Sequence, residues 1–94
     1  MIRGFADAET QTFWVTGKSR GLPPANLRQT ALRKLLMLDN AATLDDLRIP
    51  PGNGLEPLKG DRRGQHSIHI NDQHRICFIW RHDGAHEVEI TDYH

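Results

Sequence analysis

Ninety-four residues, 37% of them hydrophobic, are enough for one small domain with a modest core and little more. Twelve Lys+Arg balance twelve Asp+Glu, which excludes a protein that grips nucleic acid through bulk positive charge alone. No apolar run approaches the roughly 20 residues of a membrane span, Met1–Phe5 has no long apolar leader, and the lone Cys77 cannot form an internal disulfide. The expectation is one domain over residues 1–94, cytoplasmic, with no membrane partner.

In chain order, Ile2–Phe5 is short enough for an edge strand. Asp7 can cap a helix running to about Thr16, with Glu9 near its positive end and Gly17 suited to the stop. Lys18–Leu22 follows as a basic loop. Pro23-Pro24 is placed to open a second helix, in which Leu27, Ala31, Leu35 and Leu38 recur at helical spacing, widened by Leu32 and Leu36. Arg28, Arg33 and Lys34 lie mostly off that stripe and read as a solvated basic back. Thr43 can cap a short turn, with Asp46 in the place a capping box gives to Glu or Gln. Ile49-Pro-Pro-Gly-Asn-Gly54 is a loop.

From Leu55 the period changes from helix to strand. Leu55–Leu58 is a short strand that Pro57 confines to an edge, and Gly60–Gly64 is a turn. Gln65–Ile70 alternates with Ile68 and Ile70 on one side. Arg75–Trp80 is the strongest strand: Ile76, Phe78 and Trp80 face one way, Arg75, Cys77 and Ile79 the other. Asp83-Gly84 signals a hairpin, after which Val88 and Ile90 point inward, Glu87 and Glu89 outward. Helices followed by an antiparallel meander define an α+β domain with helices on one sheet face.

All six histidines lie between residues 66 and 94, which raises the question of a metal. His82 and His86 are four apart, but Asp83-Gly84 breaks any helix that would align them. His66 and His69 fall on opposite strand faces, and there is no HExxH, so no metal or cofactor is expected. A central-strand Cys77 reads as inert. The polar residues that remain are Lys59, Arg62 and Arg63 around a Gly-bounded turn, Arg75 at a strand start, and Asp92-Tyr93-His94. Each has a plain structural reading: Arg75 as a surface ion pair, the terminal three as fraying chain. Together they also form the inventory of metal-free RNA cleavage. A base takes the 2′-hydroxyl proton, an acid protonates the leaving 5′-oxygen, and cations stabilise the charge that builds on phosphorus.

Three segments carry a family likeness: Leu58-Lys-Gly-Asp-Arg-Arg-Gly64; SIHINDQHRICFIW from Ser67 to Trp80; and Glu89-Ile-Thr-Asp-Tyr-His94. They resemble the HigB branch of the RelE/ParE toxin superfamily, and Met1–Phe5 and Thr16-Gly-Lys18 fit it more loosely. The resemblance implies a microbial-ribonuclease-like sheet with helices on one face, and a ribosome-dependent messenger RNA endoribonuclease that inhibits translation. It implies a HigA-like helix-turn-helix antitoxin as partner, with operator DNA met only through that antitoxin. Carried across by motif, Lys59 and Arg75 stabilise phosphate charge, Asp92 and His94 are candidates for proton transfer, and Tyr93 stacks on a base or orients the phosphate. Arg62 and Arg63 belong to the RNA-binding loop. Sequence does not decide which residue is base and which is acid. One departure stands out: some relatives carry a histidine where this chain has Glu56, an acceptor-only carboxylate that repels phosphate. The alternatives are a gyrase-directed toxin of the same fold, as in the ParE branch, and a binding module that works within an antitoxin–operator complex.

Overall fold

A computed structural model describes residues 1–92 of the chain. Helix α1 (Ala8–Thr16) begins because Asp7 Oδ1 accepts from the Thr10 amide at 2.6 Å. It ends at Gly17, whose left-handed backbone (φ 75°) lets its N–H reach the Phe13 carbonyl. Helix α2 (Arg28–Asn40) starts later than Pro23-Pro24 suggests. Pro23 is buried, and a 3-10 turn over Ala25–Leu27 leads into the helix. Arg28 ties this entry down by donating to the Ser19 carbonyl and hydroxyl.

Two further expectations for α2 are corrected. Leu36 does not widen the buried stripe; it stands half exposed, while Ala31, Leu35 and Leu38 are fully buried. Lys34 is not on a solvated back but is buried, donating to Asn53 Oδ1. Asn53 is itself sealed in the interior and donates to the carbonyls of Leu47 (3.1 Å) and Ile49 (3.4 Å). The pair knits α2 to the Pro-rich loop, a partner no periodicity reveals. Burial, and then the charge of neighbouring Arg33, lower the Lys34 pKa. The Thr43–Asp46 capping box forms as expected in a turn over Leu44–Arg48.

Four strands, β1 (Glu56–Pro57), β2 (His66–His69), β3 (His74–Arg81) and β4 (Gly84–Asp92), make one antiparallel meander in the order β1-β2-β3-β4. The register pairs His69 with Arg75, Ser67 with Cys77 and Cys77 with Glu89. A bulge lies opposite Phe78, where Glu87 adopts φ 49°. It lets Ala85 and Val88, three residues apart, both turn inward, while Glu89 stays outward. Met1–Ala6 runs parallel beside β4, and Thr10 Oγ1 accepts the Ile90 amide at 3.1 Å. The edge of β4 is thereby covered.

The core lies between the helices and the inward face of the sheet: Phe13, Ala31, Leu35, Leu38 and Leu47 meet Ile68, Ile76, Phe78, Val88 and Ile90. His66 shares this side, its ring stacked on Phe78 at 25° with centroids 6.3 Å apart. Its Nδ1 is buried without a partner among the described residues. Desolvation, and then the Arg48 charge, lower its pKa. The folded state therefore binds the proton less readily than the unfolded chain. The stability this contributes is present above the unfolded value of about 6.5 and is lost as pH falls from there through the depressed folded value. Urea midpoints are expected to drop over that acid window in the wild type and to drop less in His66→Phe; parallel curves for the two proteins refute this.

Candidate functional site

Among the described residues, the other face of the sheet carries no α-helix. Strand alternation and register set Glu56, Ser67, His69, Arg75, Cys77, Glu89 and Thr91 on it. Arg75 holds the middle, its side chain 19% exposed, and donates through Nη1 to Glu56 Oε1. The loop between β1 and β2 folds a second arginine over the same face: Arg62 Nη1 donates to Glu89 Oε1 at 2.5 Å and Gln65 Oε1 at 3.0 Å. Beneath these pairs Ser67 and Cys77 are fully buried, and Cys77 Sγ lies 3.5 Å from Thr91 Oγ1. Ser67 Oγ finds no hydrogen-bond partner among the described residues. His69 lies directly across from Arg75 on β2, on the opposite side of it from Thr91, and its ring is against Gly54, where a Cβ would come within 3.1 Å of its Nε2.

Guanidinium groups held by carboxylates can exchange that oxyanion for a phosphate, which offers a similar pair of acceptor oxygens. The arrangement can therefore bind phosphodiester oxygens at two places on one face. Among the described residues, no group of three or more His, Cys, Asp and Glu side chains is placed to hold a metal.

The residues singled out from sequence divide into groups. Arg62 and Arg75 come together on the open face. Lys59 and Arg63 are exposed and line, with Leu58 and Gly60, a depression of about 370 Å3 at the turn over Gly60–Arg62. The structure does not bring Asp92 to Arg75: it pairs with His74, on the helix side of the strand end. There it accepts from Gln73 Nε2 at 2.9 Å and lies 4.0 Å from His74 Nε2. Thr91, not Asp92, faces with Arg75. Tyr93 and His94 lie outside the described residues.

Sequence reasoning missed Glu56 as the partner of Arg75, Glu89 as the partner of Arg62, and His69. Their signal was parity: His69 is in phase with Ser67, and Glu89 with Thr91. Only the register turns that parity into proximity.

A four-stranded meander with helices on one face and paired arginines on the other defines a small α+β protein of RelE-like architecture. The crystal structure of YafQ from E. coli superposes with a TM-score of 0.56 over 98% of this chain and 91% of that one. At 13% identity that likeness shows the fold. The chain belongs to the HigB-like toxin family, whose model, the RelE-like toxin of the type II toxin–antitoxin system HigB, matches residues 3–94. It is 41% identical over 80 residues to Toxin HigB-1 of Vibrio cholerae, covering 85% of this chain and 84% of that protein. It is 30% identical to Endoribonuclease HigB of Proteus vulgaris over the full length of both. A type II system implies an antitoxin partner. Among the described residues no helix is long and apolar enough to cross a membrane.

Proposed function

We propose that this protein is a metal-independent endoribonuclease that cuts messenger RNA on the ribosome, in the cytoplasm, and so inhibits translation. The observation that carries the reading is Arg75, largely sheltered on the open sheet face with an oxyanion, the Glu56 carboxylate, already at its guanidinium. A relative alignable along the whole chain and named an endoribonuclease supports the chemistry. RNA brings its own nucleophile, the 2′-hydroxyl, so no metal is needed to activate water. Arg75 stabilises the charge that grows on the phosphate oxygens, and Lys59 adds to it from the rim. Arg62 and Arg63 hold the neighbouring backbone. Proton transfer falls to His94, with Asp92 acting from the rim of the sheet, and Tyr93 orients the substrate.

Charge argues for the ribosome. The chain is neutral overall, and the two arginines of the face are each engaged by a carboxylate. Such a surface competes poorly for free RNA; a messenger already held in place needs only a local grip. A HigA-like helix-turn-helix antitoxin completes the system and carries any contact with operator DNA.

The test is induction of the untagged protein in a bacterial host, with messenger 5′ ends mapped against the reading frame. Frame-locked cuts, absent with His94→Ala, are expected. Growth arrest without cuts replaces this reading with a different target of the same fold.

A further inference from the structure

The open face holds two opposed charge pairs, Arg75 with Glu56 and Arg62 with Glu89. These four charges cancel, so an approaching phosphodiester meets no net attraction from them. The group placed to tip that balance is His69. It is the direct cross-strand partner of Arg75, which puts the two Cβ atoms about 4.5–5.5 Å apart on one face. Its ring is seated against Gly54, where the missing side chain leaves it room; the backbone there has φ +55°, a conformation suited to glycine. The other described histidines are placed elsewhere. His66 and His74 turn to the helix side, His82 is in the hairpin turn, and His86 is held by Asp83 at 2.7 Å.

We propose that His69, in its protonated form, binds a phosphate of the RNA backbone beside Arg75 and adds a positive charge beside the two charge pairs of this face when it carries that proton. The proposal rests on the nuclease reading and extends it to a substrate contact and a pH dependence. Among the described residues, the charged groups facing His69 are Arg75 from β3 and Glu56 from β1, with Arg62 and Glu89 further along the same face; the turn that carries Gly54 contributes backbone. Substrate phosphate then supplies the anion that an imidazolium N–H donates to.

The experiment uses ribosomes programmed with messenger whose A-site codon carries 2′-deoxy sugars, so that binding is read without cleavage. Affinity of the untagged wild type is expected to rise as pH falls from about 8 to about 5.5, the range in which histidine charges. In His69→Gln that rise disappears and acid-side affinity falls about ten- to hundredfold, the size of a charge-assisted hydrogen bond. His69→Arg restores tight binding and holds it across the pH range. That rescue separates a charge contact from a merely structural role, and thermal unfolding of all three proteins checks that they are folded. Wild-type-like binding by His69→Gln at every pH overturns the proposal, as does a folded His69→Arg as weak as His69→Gln. Failure of the wild type both to bind these ribosomes and to cut the all-ribose messenger overturns the nuclease reading itself, and this proposal with it.

Discussion

Arg75→Ala is expected to lower single-turnover cleavage of ribosome-held messenger by about 10²–10³-fold, the cost of removing one well-placed stabiliser of transition-state charge. Two effects act in the same direction. The guanidinium that would meet the phosphorane oxygens is gone. Glu56, which it holds in the structure, is left as an uncompensated carboxylate where the substrate's negative charge must sit. Arg75→Lys keeps the charge and loses the planar fork, so its activity falls between the two. Glu56→Gln provides the opposite sign: it releases Arg75 from a competing anion, and cleavage is expected to rise or hold. If Arg75→Ala cleaves within threefold of wild type, phosphate stabilisation does not reside on this face.

The second large effect is on stability. Gly84 opens β4 with φ +129°, and a Cβ built on it would sit 2.0 Å from the Met1 carbonyl oxygen. Neither atom belongs to a flexible side chain, so Gly84→Ala must either distort the hairpin or expel Met1–Ala6 from its place beside β4. Expulsion breaks the hydrogen bonds that join this segment to β4, Ala85 N to Met1 O (2.9 Å) and Arg3 N to Ala85 O (2.7 Å) among them. It also bares the packed side chains of Ile2 and Phe5. Backbone strain of about 1–3 kcal/mol and the two named hydrogen bonds at about 0.5–1.5 kcal/mol each sum to roughly 2–6 kcal/mol. That is a large share of the roughly 5–14 kcal/mol expected for a domain of this size at 0.05–0.15 kcal/mol per residue. A thermal midpoint lowered by roughly 10–50 °C is the expected result, at about 4–8 °C per kcal/mol. A midpoint within 3 °C of wild type would mean that the amino-terminal segment contributes little to the fold.

Much of the architecture was legible because the signals are local. Asp7 and Gly17 bound α1 through backbone geometry that a capping carboxylate and a left-handed glycine satisfy on their own. Leu35 and Leu38 mark the buried side of α2, and Ile76 with Phe78 that of β3, because burial follows the 3.6- and 2-residue periods directly. The same periodicity misled where a distant partner intervened. Lys34 is off the apolar stripe by spacing, yet it is buried, because Asn53 arrives from the loop some 19 positions on to accept its ammonium. Leu36 is apolar, yet half of it stays exposed.

The candidate site divides along the same line. That Arg75 lies on the face away from Ile76 and Phe78 was fixed by alternation alone. The side of Asp92 was not read from the sequence, where motif position grouped it with Arg75; the register sets it in phase with Ile90, opposite His74, on the core side. What the chain could not disclose by itself is which outward residues meet. The pairings of Glu56 with Arg75, Arg62 with Glu89 and His69 with Arg75 span 19, 27 and 6 positions. They depend on strand register, on the bulge at Glu87 and on the path of a loop. Those are settled only when the whole sheet closes on its helices, because a one-residue slip in any pairing moves every side chain of that strand to the other face.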